Sequence, residues 1–119
     1  MTILFIADGY NDRVIAINKN GEVITKWGGP FALNIYGSFN GWFTTVTGIT
    51  VSPKGAVFVA DFYNDRVQKF KPDGTFLNSF SISSDAPTHT AIAVTVADDG
   101  TVFVADYANH QIQKWQPGG

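Results

Sequence analysis

Three stretches of the chain are apolar at nearly every position: Ile3-Leu4-Phe5-Ile6-Ala7, Val57-Phe58-Val59-Ala60 and Val102-Phe103-Val104-Ala105. Each ends at an aspartate and runs into a short segment of aromatic and polar residues, the profile of a strand entering a turn. A strand with one wet face alternates apolar and polar residues, so a continuous apolar run needs cover on both faces. The closing aspartates, Asp8, Asp61 and Asp106, stand 53 and 45 residues apart. A recurrence of roughly 40 to 50 residues is the size of one propeller blade, and stacked blades supply the two-sided cover.

The middle unit is the most complete. Gly48-Ile49-Thr50-Val51 reads as a strand, Pro53-Lys54-Gly55 as a turn, Ala56 to Ala60 as a second strand and Phe62 to Asp65 as a polar-aromatic turn. Arg66 to Phe70 follows as a third strand and Thr75 to Phe80 as a fourth, joined by Asp73-Gly74, a pair suited to the positive φ of tight hairpins. These strands, a to d in order, predict a four-stranded antiparallel meander with Gly48 to Val51 innermost and Phe76 to Phe80 outermost. No window shows a helical period with caps, so the expected class is all-β. The chain divides as a single repeat array over 1–119. It comprises a partial b-c-d blade over 1–27, a long connection over 28–47, a complete blade over 48–80, a connection over 81–92 and a partial a-b-c blade over 93–119.

The succession Gly-Ile-x-Val, turn, apolar strand ending Val-Ala-Asp, Asn two residues before Arg, then Val-Gln-Lys-Phe and an Asp-Gly turn resembles the NHL-repeat family of six-bladed β-propellers. Gly37-Ser38-Phe39-Asn40-Gly41-Trp42-Phe43 is similar to the glycine-rich lead-in between blades of that family. The likeness is tight over Thr45 to Phe80, good over Ala93 to Gly118 and partial over Ile3 to Trp27. Gln111 departs from it where the other copies have Arg13 and Arg66, and Ala93 replaces the glycine found at Gly48. The resemblance implies a ring of four-stranded blades. Ten strands fall short of that, so the expected object is a partial propeller closed only by other copies or by a partner.

Composition narrows the function classes. With 45% apolar and 15% charged residues the 119-residue chain is globular, and ten phenylalanines and three tryptophans supply blade-packing surface. A formal charge of −2 and dispersed lysines and arginines argue against nucleic acid, including the RNA that some NHL propellers bind. There is no cysteine for a disulfide or a thiolate metal site. No cofactor motif is expected. The apolar start at Met1 aligns with strand b and reads as neither a signal peptide nor a transmembrane segment. Nothing in the sequence points to a compartment.

In an antiparallel meander the b-to-c and d-to-a connections share one end, which here carries the long variable segments, and any ligand face is expected there. The residues it offers are Tyr10, Asp12, Tyr63, Asp65, Tyr107 and His110, with Phe39 and Trp42, as an aromatic and mildly acidic surface for a peptide or a glycan. Asp8, Asp61 and Asp106 with Asn11, Asn64 and Asn109 recur in every copy, and a trio present in every copy reads as structural. The aspartates are expected to accept loop N–H groups, the asparagines to sustain the turns, and Arg13 and Arg66 to pair with carboxylates between blades. No catalytic residue and no metal site are assigned, because His89 and His110 lack ligand spacing.

Two function classes follow. The first is a non-catalytic interaction or assembly module, associating with itself or another protein. The second, drawn from the resemblance, is a piece of a metal-dependent lyase or hydrolase whose catalytic residues lie on other blades. Self-association is expected because the end units leave strand edges and apolar faces open, through residues such as Ile3, Phe5, Val102 and Phe103. Trp27, Phe31, Trp42 and Trp115 are the contact candidates.

Overall fold

A computed structural model describes residues 3–29, 35–82 and 91–116. Phe31 and His89 lie outside the described residues. Ten strands occur among the described residues: β1 Ile3–Asp8, β2 Arg13–Asn18, β3 Val23–Gly28, β4 Val46–Val51, β5 Val57–Asp61, β6 Arg66–Phe70, β7 Phe76–Ser81, β8 Ala91–Val96, β9 Val102–Asp106 and β10 Gln111–Trp115. They form three antiparallel sheets, ordered β1-β2-β3, β4-β5-β6-β7 and β10-β9-β8, each strand pairing with its neighbour in sequence. The array is all-β and unclosed. Strand β4 lies alongside both β1 and β8, which places the second sheet between the other two.

The two ends of every hairpin are built differently. At one end four short turns share a single pattern. Gly21, Gly55, Gly74 and Gly100 donate to Asn18, Ser52, Lys71 and Ala97 in turn, and each of these four glycines has a positive φ between 81° and 93°. At the other end the b-to-c connections wind into single 3-10 turns, Gly9–Asn11, Phe62–Asn64 and Tyr107–Asn109. Each is closed by a left-handed residue, Asp12, Asp65 or His110. The sequence pattern had marked these as turns, since three residues are too few for a helical period.

Two apolar cores fill the spaces between sheets. Between the first and second sheets lie Val14, Trp27, Phe43, Val46, Val57, Val59 and Phe70. Between the second and third lie Phe58, Ala60, Val67, Ile82, Val94, Val102 and Val104. All five residues of β5 are buried, as a strand covered on both faces requires, whereas β1 and β9 alternate because only one of their faces has a neighbour.

That alternation corrects the expected end residues. Phe5 packs edge-on against Trp27 inside the first core, and Val102 is buried in the second. The open positions are Leu4 and Ile6 at one end and Ile112 at the other. Trp27 is likewise a core residue rather than a contact candidate: it is buried between Phe5 and Phe70. Trp115 is half-buried against Phe80.

Candidate functional site

The repeated aspartates organise the loop end. Asp61 is fully buried; its Oδ1 accepts the Thr44 N–H at 2.8 Å, and its Oδ2 accepts from Asn64 Nδ2 at 2.9 Å, Arg66 Nε at 2.8 Å and Gln68 Nε2 at 3.2 Å. The donors reach further, onto the incoming connection. Arg66 donates to the carbonyls of Ser38, Phe39 and Trp42, Asn64 to that of Gly37 and Gln68 to that of Trp42, while Gln68 Oε1 accepts the Gly41 N–H. The glycine-rich lead-in is thereby strapped to its own blade, and Phe43 is driven into the core against Phe70.

The other copies repeat the arrangement with fewer parts. Asp8 accepts from Asn11 Nδ2 at 3.0 Å and Arg13 Nε at 2.7 Å. Asp106 accepts from Asn109, from Gln111 Nε2 at 2.9 Å and from Gln113 Nε2 at 2.8 Å, so Gln111 keeps a donor where the other copies have arginine. The ion pairs of Arg13 and Arg66 are with the aspartate of their own hairpin, where pairing between blades was expected, because Asp8↔Arg13 and Asp61↔Arg66 are direct cross-strand neighbours. Gln68 and Gln113 were missed as members of the network. Their signal was the shared Gln-Lys dipeptide on strand c, which the first copy replaces with Ile15-Ala16.

Burial separates carboxylates of equal sequence context. Desolvation pushes the Asp61 carboxyl above its ordinary value, against the pull of the Thr44 N–H, Asn64 and Arg66. In the more open Asp8 the Arg13 hydrogen bond dominates and holds the carboxyl below its ordinary value.

Of the residues expected on a ligand face, Tyr10, Tyr63 and Tyr107 are exposed, as are Phe39 and His110. Tyr107 and His110 border a shallow depression of about 330 Å³ together with Asp106, Gln111 and Ile112. Phe39 stacks edge-on against the half-buried Trp42 at 5.0 Å. Asp12 does not belong with them: it is 7% exposed and its Oδ1 accepts the Thr45 N–H at 2.6 Å, tying the turn of the first blade to the start of the second. Asp65 is half-buried, and its carbonyl accepts the Ile82 N–H at 2.8 Å on the way out of the second blade.

A second concavity lies at the opposite, tight-turn end, where sequence reasoning had placed no ligand. It is a cleft of about 310 Å³ between the second and third sheets, bordered by Phe58, Lys69, Phe80, Val96, Asp98 and Val102. Lys69 Nζ stands 5.6 Å from the centre of the Phe58 ring. Among the described residues no three His, Cys, Asp or Glu side chains are grouped to hold a metal ion. No described helix is long and apolar enough to cross a membrane.

The family model for the NHL repeat matches residues 43–70 and 89–115. Two stretches of the chain match the NHL repeat. The first match begins at Phe43, the last residue of the lead-in, and covers strands β4 to β6, and the second reaches the end of β10. Solved structures similar to this array include β-propeller proteins. The WD40 β-propeller domain of Doa1 matches with a TM-score of 0.69 at 12% identity, over 98% of this chain and 36% of its own. A streptogramin B lyase matches with a TM-score of 0.67 at 13% identity, over 98% of this chain and 38% of its own. Virginiamycin B lyase from Staphylococcus aureus matches with a TM-score of 0.67 at 15% identity, over 95% of this chain and 37% of its own. The chain thus spans little more than a third of these structures, and identities this low establish the fold alone. No curated protein matches the sequence.

Proposed function

We propose that the chain is a non-catalytic interaction and assembly module, a run of NHL blades whose two outer sheet faces are covered by other blades. The observation that carries this reading is the repetition of one interface. Val57 and Val59 of β5, and Val102 and Val104 of β9, are buried against the preceding sheet. The same positions in β1 are Leu4 and Ile6, which stand 58% and 37% exposed. Contiguous exposed apolar faces of this kind mark interaction surfaces.

The repeated aspartates support the same reading, since each is engaged by donors of its own hairpin and so serves the scaffold. The exposed tyrosines of the loop end are offered as a peptide- or glycan-binding surface on that scaffold. The fold likeness to the two lyases supplies the alternative, a segment of a propeller enzyme, and rests on architecture only.

Hydroxyl-radical footprinting of the particle as it occurs in its source tests the reading. Leu4, Ile6 and Ile112 are expected to be protected to the level of Val57 and Val59. Labelling as fast as in the denatured chain would show that the faces are free and would overturn it.

A further inference from the structure

We propose that the cleft at the tight-turn end, between the second and third sheets, is a binding site for a small zwitterion with an aromatic body, the chemistry of an aromatic α-amino acid. It opens on the end opposite the exposed tyrosines and is bordered by residues between Ser52 and Val102, so it depends on neither outer face of the array.

Two equivalent interfaces are filled differently. Trp27 pairs with Val14 and Phe80 with Val67, the same place in successive blades. In the same frame Ala16 pairs with Phe5 and Lys69 with Phe58. At the first interface the indole of Trp27 is buried between Phe5 and Phe70, and Ala16 is buried as well. At the second interface the indole gives way to a single ring and the alanine to a lysine, and the cleft of about 310 Å³ stands open beside both. That size lies at the lower end of small-ligand sites. Its apolar part is aromatic, with the Phe58 and Phe80 rings 6.4 Å apart and within 11° of parallel.

Charge is divided between the two walls. The cations, Lys54 and Lys69, belong to the second sheet and its a-to-b turn, and the carboxylates, Asp98 and Asp99, to the turn between β8 and β9. Among the described residues no ion pair joins the two walls. Lys69 is half-buried, and its ammonium stands 5.6 Å from the centre of the Phe58 ring. Asp99 accepts the Thr101 N–H at 2.9 Å, which holds its carboxyl below its ordinary value and keeps it ionised at neutral pH. A ring laid against Phe58 and Phe80 would therefore carry its carboxylate toward Lys69 and its ammonium toward Asp98 and Asp99. A ligand with a single charge meets attraction at one wall and a like charge at the other. Because the turns are open to water, these charges set selectivity more than affinity.

Titration of the ¹⁵N-labelled 119-residue chain with L-phenylalanine, followed by amide NMR, tests the site against 3-phenylpropionate and phenethylamine, which keep the ring and drop one charge each. Phenylalanine is expected to shift the signals of Phe58, Lys69, Phe80 and Asp98 together. Each single-charge analogue is expected to bind about tenfold more weakly, the weight of one charged hydrogen bond, and glycine, the head without the ring, not to bind. Phe80→Trp, which writes the first interface's residue into the second, is expected to abolish the shifts. Lys69→Met keeps the stem without the charge and is expected to erase the preference for phenylalanine over phenethylamine; it decides the matter should the tryptophan variant fail to fold. Absence of shifts at the cleft up to the solubility limit of phenylalanine overturns the proposal. So does equal binding of the three aromatic probes, which would mean an apolar slot indifferent to charge, or a preference that Lys69→Met leaves unchanged. Shifts confined to the loop end, around Tyr63 and Tyr107, would put the ligand on the other face and overturn it as well, while leaving the interaction surface proposed there intact.

Discussion

Replacing Asp61 by alanine removes the acceptor shared by four donors, the Thr44 N–H, Asn64 Nδ2, Arg66 Nε and Gln68 Nε2. Three of these keep another acceptor, because Asn64 still reaches Gly37, Arg66 still reaches Ser38, Phe39 and Trp42, and Gln68 still reaches Trp42. Each nonetheless loses one bond, and Gln68 does so in a site with no access to water. An orphaned buried donor costs about 1–3 kcal/mol, and removing one partner of a buried ion pair costs about 3–5 kcal/mol. The loss is not the sum, since the retained bonds and the Arg66 side chain, 11% exposed, soften it. About 3–5 kcal/mol is expected, a large share of the ~5–15 kcal/mol that holds an ordinary domain together. Asp8→Ala is the internal control: it removes the same motif aspartate, but the Asp8 and Arg13 side chains are 26% and 25% exposed, and an open pair contributes under about 1 kcal/mol. Chemical denaturation followed by circular dichroism, at one fixed chain concentration because association shifts apparent stability, separates the two. Equal losses for the two variants, or an Asp61→Ala chain as stable as the parent, would refute the reasoning.

Two further outcomes follow. A folded carboxyl raised above its unfolded value makes the ionised form the costly one, so Asp61 weakens the fold as pH rises from about 4 through its folded pKa; Asp8, lowered, adds stability above about 4 that is lost as pH falls through its own folded pKa. Carboxyl ¹³C titration of the two residues should therefore give midpoints on opposite sides of the ordinary value, and midpoints on the same side would contradict the burial argument. Gly74→Ala should destabilise by about 1–3 kcal/mol more than Gly21→Ala. Both have positive φ, but a Cβ at Gly74 meets Trp27 Cε3 at 2.9 Å while one at Gly21 meets nothing within 4 Å, and equal melting temperatures would show that Trp27 yields freely.

Strand existence and order were legible because turn chemistry and the Val-Ala-Asp recurrence are local properties of the chain. The bounds were less so: β4 begins at Val46, ahead of Gly48, since the bulge between them restores pairing with Asp61 only in three dimensions. At the candidate site, Asp12 and Asp65 look alike in Tyr-Asn-Asp, yet Asp12 is buried on Thr45, which lies 33 residues away and leaves no mark beside it. Trp27 read as an end residue because its cover comes from Phe70, on the next blade. In the same way an unbroken apolar run says that both faces of a strand want cover, but not which residue of the run faces which neighbour. That depends on the pleat, and it moved the open positions from Phe5 and Val102 to Leu4 and Ile6.

The bonds from Thr45 to Asp12 and from Thr44 to Asp61 act as a clamp on chain length. Both sheets hold their register although the first aspartate interval exceeds the second by eight residues. The repeat therefore behaves as a socket with a fixed fitting and an adjustable lead. A foreign loop grafted into this connection would run from the end of β3 to a lead-in that Asn64, Arg66 and Gln68 hold on the second blade, which makes this connection the natural place to write a new specificity onto the scaffold.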